Sequence, residues 1–535
     1  FDGALHEQIS SKIEGELGER TRFVGSPEIL HYGYLANAVR DRAKTERNRT
    51  IALQEALERP EDAFALFNAG IEYQRIDDHT RAVYFFQQSF SSLPDLRRNW
   101  TPVLLRALAA SLRQLGKHDE ALEVIADAET AFADFSDLYF LEAQIHSDRQ
   151  EYRAAILALE RALAIGDHDG DRYMARIGMG SFHSWFGLGV LMERVGDLGE
   201  AVRAFRKAVV SAGGCFPDAQ AALVRLCLTT DPPEVVRDFV VGLLPARQRA
   251  DSLRVVAEEF ARADHPQHAL ELVDEALAAA PDDHGAQVAR ANALLMLGRL
   301  DDATAQLDAV PATSDLAGVA DERRYLCALI EGDRDAAERA IVALADVDDG
   351  LTSFVLASVL GAVRGEDAPP PLPARLDAGD ATTAALGLAD QLLRLGRLDE
   401  FNAAERVVHA LSPAPGEAHE TLGTVLFDAG FPGPAAARLI TAVEAGAASA
   451  GALAKLGHLC IDQDLPEDAE EFFRAALDAD TENQIRYVDL VRLLAAAGRF
   501  QEAREVLSRG LEVYPHSTVM SELRDSFLLL AEALE

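Results

Sequence analysis

The strongest constraint on this chain is a set of small and large apolar residues that recurs every 34 residues. In the segment that begins at Gln484, this set comprises Tyr487 at position 4, Leu490 at 7, Leu494 at 11, Gly498 at 15, Ala503 at 20, Leu507 at 24, Gly510 at 27 and Pro515 at 32. Small residues at positions 8, 20 and 27 allow two helices to approach closely, and the large residues fill the space between them. Glycine near position 15 ends the first helix in a left-handed turn, and proline near position 32 ends the second. The pattern therefore predicts a pair of helices in each segment.

The same pattern occurs in twelve segments along the chain. They begin at Ala63, Pro102, Ser136, Phe182, Phe216, Ala250, His284, Gly318, Thr382, Gly416, Ala450 and Gln484. The pattern resembles the tetratricopeptide repeat. This resemblance implies an all-α solenoid of about 12 helix pairs in a right-handed superhelix, because a single pair cannot bury both of its apolar faces and must stack on its neighbours.

Interruptions of the repeat suggest domain boundaries. Residues 1–50 do not fit the repeat, and residues 23–34 are typical of short strands around a turn, so we expect a short α/β remnant of another domain there. Residues 51–365 form a first repeat array with a Gly- and Asp-rich insertion at 166–181. A lone helix near 351–364 precedes a Pro-rich linker at 366–381. Residues 382–535 form a second array that ends in a capping helix at 517–534.

Composition and charge limit the classes of partner. The formal net charge of −37 argues against nucleic acid, because phosphate binding requires clustered Lys and Arg. We interpret the charge as a solvated acidic surface, with attraction of basic partners as the alternative. No apolar stretch is long enough for a membrane span. The four cysteines are scattered, which favours reduced thiols over disulfides and a cytoplasmic location. The chain begins with Phe1 rather than Met, so we expect a fragment or a processed product.

The N-terminal residues resemble a second family. The motifs are Phe-x-Gly-x-x-His-Glu-Gln at 1–8, His-x-Gly-Tyr at 31–34, Arg-Asn at 47–48, Arg-Arg-Asn-Trp at 97–100 and Gly-Met-Gly-Ser-Phe at 178–182. Their order and spacing, over roughly residues 1–210, are similar to the end of bacterial family 2 glycosyltransferases that carry appended tetratricopeptide repeats.

This second resemblance implies a parent protein with a GT-A domain before Phe1 that binds a nucleotide-sugar and a divalent metal (Mg or Mn) and transfers the sugar with inversion. It places His6 and Glu7 at the edge of the donor or metal site. The alternative is that His6 caps a helix or packs between domains. We assign no catalytic residue, cofactor or metal to this chain itself, and whether the protein is an enzyme stays open.

A candidate binding groove follows from the repeat. In tetratricopeptide repeats, positions 2, 5, 9 and 12 of the first helices face the ligand, and we call them the groove positions. Residues at or near these positions with apolar or aromatic side chains are Phe64, Phe67, Ile71, Phe140, His183 and Phe186. Such a face suggests contact with a partner helix, a neighbouring domain or an extended peptide. The alternative is that these residues belong to the core between repeats.

We therefore expect a protein-interaction scaffold in a glycosyltransferase-like protein. The repeats would position an acceptor or a partner protein for transfer from a nucleotide-sugar. The alternative is a non-enzymatic adaptor that assembles protein complexes.

Overall fold

The computed structural model describes residues 42–534, except residues 97, 168–172, 246–248, 346–349, 367 and 516. Within these residues the chain forms 27 α-helices and no strand, which confirms the predicted all-α fold. The strands predicted at 23–34, and most of the predicted α/β remnant, lie outside the described residues. The chain divides into two compact units between Leu191 and Met192.

The first unit contains an N-terminal helix and three helix pairs, followed by the helix in which the division falls. These helices are α1 (Arg42–Glu58), α2 (Ala63–Gln74), α3 (His79–Ser91), α4 (Thr101–Gln114), α5 (His118–Ala131), α6 (Ser136–Asp148), α7 (Tyr152–Ile165) and α8 (Phe182–Arg194). Helix α1 crosses the boundary predicted between residues 50 and 51. The described residues of the 166–181 insertion connect α7 to α8 without forming a helix.

The second unit continues the series of pairs. After α8, the chain continues with α9 (Leu198–Ser211), α10 (Pro217–Cys227), α11 (Pro233–Val241), α12 (Arg249–Arg262), α13 (Pro266–Ala279), α14 (His284–Met296), α15 (Leu300–Asp308), α16 (Ala317–Glu331), α17 (Arg334–Ala345) and α18 (Leu351–Val363). The remainder are α19 (Ala378–Arg394), α20 (Leu398–Leu411), α21 (Pro415–Asp428), α22 (Pro432–Glu444), α23 (Ala450–Asp462), α24 (Pro466–Ala479), α25 (Gln484–Ala496), α26 (Phe500–Val513) and α27 (Thr518–Leu534).

The predicted starts of the repeats agree closely with the helices. The largest difference is at α19, which begins at Ala378 rather than Thr382 and so occupies part of the predicted linker. The side chain of Asp377 caps this helix by accepting hydrogen bonds from the backbone N–H groups of Gly379 (2.8 Å) and Asp380 (3.1 Å). The lone helix is confirmed as α18. The division of the chain into arrays at 366–381 stays a prediction.

Close packing within a pair depends on the small residue at position 8. A Cβ atom added to Gly70 would lie 2.5 Å from the ring of Phe86, and one added to Gly457 would lie 2.5 Å from the ring of Phe473. In both pairs the large residue occupies position 24, and its side chain is almost completely buried. The glycine therefore makes room for the ring, and this contact sets the distance between the two helices.

The turn between the helices of a pair has a constant geometry. The residue at position 15 has a positive φ in eleven pairs. In seven of them it is glycine, and in the other four it is Asp77, Gln150, Asp264 or Asp464, with φ between 59° and 62°. Side chains disfavour this conformation, so packing of the helices imposes the turn even where the sequence lacks its usual glycine.

A contact between distant repeats closes part of the second unit. The backbone N–H of Gln484 donates to the carbonyl oxygen of Val195 at 2.8 Å, and the side-chain amide of Asn483 donates to the carbonyl oxygen of Arg194 at 3.1 Å. A Cβ atom on Gly196 would lie 2.6 Å from the side chain of Ile485, which shows how closely the two segments approach. The turn after α8 and the start of α25 are therefore joined directly.

We expect Gly457→Val to lower the free energy of unfolding by about 1–3 kcal/mol, because the added side chain has no space beside the Phe473 ring. Urea unfolding followed by circular dichroism measures the change. The matched control is Gly387→Ala in α19, where a Cβ atom meets nothing within 4 Å and the helix gains propensity. Equal stability of the two variants would contradict this account of position 8.

A histidine pair in the second unit links stability to pH. The rings of His409 in α20 and His419 in α21 are 4.4 Å apart, and His409 Nε2 lies 3.8 Å from the carboxylate of Glu405, to which Arg438 Nε donates at 2.7 Å. Burial, together with the charges of His409 and Arg438, lowers the pKa of His419, against the opposing effect of Glu405. The folded state therefore holds His419 neutral more strongly than the unfolded state does.

Because its pKa is lower in the folded state, His419 contributes stability that is present above its unfolded pKa of about 6.5 and is lost as pH falls below that value. We expect the urea concentration at the midpoint of unfolding to decrease as the pH is lowered from 7.5 to 5.5. In His419→Gln we expect a smaller decrease. His118→Gln, outside this cluster, is the control. An unchanged pH dependence in His419→Gln would show that this ring does not carry the effect.

Candidate protein-binding surfaces

The predicted groove residues of the first pair pack against one another and the core. Phe67 is 7% exposed, and its ring lies 5.3 Å from that of Trp100 and 6.1 Å from that of Phe86. Phe64 is half-buried against Trp100 at 5.3 Å, and Ile71 is half-buried against the same cluster. This placement gives these residues a structural role between repeats, and their role in ligand contact stays a prediction.

The three groove residues farther along the first unit are more accessible. Phe140, His183 and Phe186 are all half-buried. The rings of Phe140 and His183 lie 6.4 Å apart in a T-shaped arrangement. A Cβ atom on Gly187 would lie 3.2 Å from Leu159 and 3.9 Å from Phe140, so helix α8 lies close to both neighbouring helices. The structure thus brings Phe140 and His183 together on one surface.

Polar side chains connect the first helices of successive pairs. Gln74 Nε2 donates to the carbonyl oxygen of Ala107 at 3.1 Å and to Ser111 Oγ at 2.9 Å. Arg113 forms a bidentate ion pair with Asp148 and donates to Gln144 Oε1 at 3.1 Å. These bonds connect α2 to α4 and α4 to α6. They fix the spacing of the first helices along the unit.

The insertion packs across the N-terminal ends of the first helices. Tyr173 is buried, with ring centroids 5.9 Å from Phe132 and 5.3 Å from Phe135, and its hydroxyl donates to Asp134 Oδ1 at 2.8 Å. Nearby, the backbone N–H of Arg176 donates to the Asp137 carboxylate at 3.2 Å. The ring contacts of Tyr173 and the backbone hydrogen bond of Arg176 therefore hold the described part of the insertion against α6 and the turn before it.

Sequence reasoning missed Arg106, the groove residue at position 5 of the second pair. Its guanidinium Nε lies 3.6 Å from the carboxylate of Asp137, which occupies position 2 of the third pair. The groove residues predicted from sequence are those with apolar or aromatic side chains, whereas Arg106 and Asp137 are charged. Their groove positions in the repeat are the signal that identifies them.

The second unit holds a cavity of about 450 Å³. It lies among the first helices α12, α14, α16 and α19. Its wall combines apolar and polar side chains, among them Glu258, Ala261, Val288, Asn292, Leu295, Val319, Arg323, Leu326, Gln391 and Arg394. Seven of these occupy groove positions: Glu258, Ala261, Val288, Asn292, Leu295, Val319 and Leu326.

Hydrogen bonds hold the wall of this cavity in place. Arg323 Nη1 donates to Gln391 Oε1 at 3.0 Å, and Arg394 Nη1 donates to the carbonyl oxygen of Arg262 at 2.9 Å. Arg323 Nε is buried and has no hydrogen-bond partner among the described residues. The cavity therefore combines apolar and polar lining side chains, which suits a peptide segment.

Several predictions about chemistry are not tested by the described residues. His6 and Glu7, the candidate donor or metal-site residues, lie outside them. In the part of the chain that is described, no group of three or more His, Cys, Asp and Glu residues is arranged to hold a metal ion. None of the described helices combines the length and apolar character needed to cross a bilayer.

Comparison with known proteins supports the repeat assignment. Two sequence models of the tetratricopeptide repeat match this chain, one at residues 461–524 and the other at residues 257–317 and 420–483. No curated protein matches it.

Solved structures similar to this chain include the APC/C hetero-tetramer Cut9–Hcn1, with 14% identity, 90% of this chain and 98% of that chain covered, and a TM-score of 0.28. A tetratricopeptide repeat protein from Parabacteroides merdae has 13% identity, coverage of 55% and 96%, and a TM-score of 0.32. Yeast Tom70 has 14% identity, coverage of 88% and 95%, and a TM-score of 0.27. The family matches show tetratricopeptide repeats at residues 257–317 and 420–524, and most of the other described helix pairs share their turn geometry.

Proposed function

We propose that this chain is a scaffold that binds a protein partner through the groove positions of its first helices. The observation that carries this proposal is the cavity in the second unit, because its wall is built largely from groove positions of three consecutive pairs. The exposed Val319 and the half-buried Met296 supply apolar area that a partner can bury, while Asn292 and Arg323 supply polar groups that fix orientation.

Two valines of one repeat allow a matched test. Val319 lines the cavity on α16 and is 38% exposed, whereas Val342 lies on the second helix α17 and is 66% exposed. We expect Val319→Trp to fill the cavity and reduce partner binding at least about tenfold, and Val342→Trp to leave binding unchanged, because only the first substitution blocks the groove. Co-purification from the source cells with quantitative mass spectrometry measures partner recovery. The same proteins recovered in equal amounts with both variants would contradict the proposal.

We also propose that the scaffold serves a glycosyltransferase-like protein and positions an acceptor or a partner for transfer from a nucleotide-sugar. The support is the sequence resemblance over roughly residues 1–210. We also propose a cytoplasmic location. The support is that all four cysteines are free thiols, of which Cys227 and Cys327 are buried, because disulfides are rare in a reducing compartment. The alternative is a non-enzymatic adaptor, for which the cavity of the second unit is sufficient.

Nucleotide-sugar binding separates the two alternatives. We expect the full-length protein to bind a nucleotide-sugar in the presence of Mg²⁺ or Mn²⁺, and His6→Ala to weaken this binding, because an imidazole at the site edge would contact the metal or the diphosphate. Isothermal titration calorimetry measures the affinity, with His118→Ala as the control. Unchanged metal-dependent binding by His6→Ala would remove His6 from the site, and a lack of any binding would favour the adaptor.

A further inference from the structure

Arg106 is a buried cation with few partners. It lies on α4 at a groove position, and its side chain is 14% exposed. Its closest charged partner is Asp137, at 3.6 Å from Nε, which is too long for a hydrogen bond. Within the part of the chain that is described, Arg106 Nε is buried without a hydrogen-bond partner. One of the five N–H donors of this guanidinium group is therefore left unused inside the protein.

A second arginine reaches the same place from the insertion. The backbone of Arg176 is held against the Asp137 carboxylate by the N–H bond at 3.2 Å, and its side chain is exposed. Burial of the Arg106 guanidinium and the positive charge of Arg176 lower the pKa of Arg106 to about 10, against the opposing effect of Asp137. Arg106 and Arg176 therefore share Asp137 as a neighbour, one through its guanidinium group and the other through its backbone.

The charges of these side chains do not balance. Arg106 and Arg176 carry two positive charges, and Asp137 supplies one negative charge. Burying a cation without full pairing costs free energy, and one further carboxylate would remove that cost. This small positive site lies in a chain whose formal net charge is −37, so it stands out as a place where an acidic group is attracted.

An apolar surface lies directly beside this charge. Phe140 follows Asp137 by three residues on α6, so the two side chains project from the same face of the helix. Phe140 is half-buried, and its ring is in edge contact with His183. A ligand at Arg106 therefore meets an aromatic surface within one helical turn.

We propose that Arg106 and Arg176 bind the carboxylate of an aspartate or glutamate on a peptide segment of the protein partner, and that a neighbouring apolar side chain of that peptide packs on Phe140. This inference rests on the proposed scaffold function and adds the chemistry of the partner. A phosphate group fits less well, because it carries nearly two negative charges and would lie close to the buried Asp137.

Synthetic peptides with one Glu flanked by Phe and Leu, in an otherwise Ala-Ser background, provide the probe. Matched peptides carry Gln or phosphoserine in place of Glu. Fluorescence anisotropy with the full chain measures binding to the wild type, Arg106→Gln and Arg176→Gln. Arg153→Gln, an exposed arginine on the second helix α7, is the control. Arg176 is exposed, so Arg176→Gln keeps the test valid if Arg106→Gln does not fold.

We expect the wild type and Arg153→Gln to bind the Glu peptides about tenfold or more tightly than the Gln peptides, and both site variants to lose that preference. An equal Glu-to-Gln ratio in the wild type and the site variants would overturn the inference. Tighter binding of the phosphoserine peptides would overturn the choice of a carboxylate. If these peptides fail but partner recovery still depends on Val319, the inference fails while the scaffold function stands.

Discussion

The contact on which the structure depends is the close approach of a glycine on the first helix and a large side chain on the second. Gly70 faces Phe86, Gly423 faces Leu439 and Gly457 faces Phe473, with the glycine at position 8 and the large residue at position 24 each time. In these three pairs a side chain at position 8 would push the helices apart, whereas other pairs hold a buried large residue there, such as Leu223 or Tyr325. The contact between positions 8 and 24 therefore sets the distance between the two helices in each of the three pairs.

Polar contacts connect the helices of different repeats. The bonds from Gln74 to α4 and from Arg113 to α6 connect successive first helices and add to the apolar packing of groove residues such as Phe67. In the second unit, Arg323 and Arg394 do the same across a greater distance along the chain. These directed bonds fix the spacing of the first helices.

The two units differ in what they offer to a partner. The first unit presents the Arg106 site next to Phe140, at the edge of an insertion anchored by Tyr173. The second presents a cavity whose wall combines apolar and polar side chains. The first unit therefore offers charge recognition, and the second offers a cavity of mixed character.

The paired helices could be predicted from the sequence alone. Their starts follow from the 34-residue spacing, because side-chain size at positions 8, 20 and 24 is a local requirement in most repeats, and α18 was predicted where that spacing is interrupted, whereas α1 was not predicted as one helix across residues 50 and 51. Turn geometry was also predictable, although packing imposes it at Gln150 and Asp264 where glycine is absent.

Which distant groups meet depends on how the repeats assemble. Gln484, at the start of the twelfth pair, bonds to Val195 in the fourth, and the insertion folds back so that the backbone of Arg176 contacts Asp137, the neighbour of Arg106. The cavity likewise depends on how far successive pairs rotate, which no single repeat specifies. Small rotations at each interface add up along a stack, so the groove and its binding groups are properties of the assembled repeats rather than of any one of them.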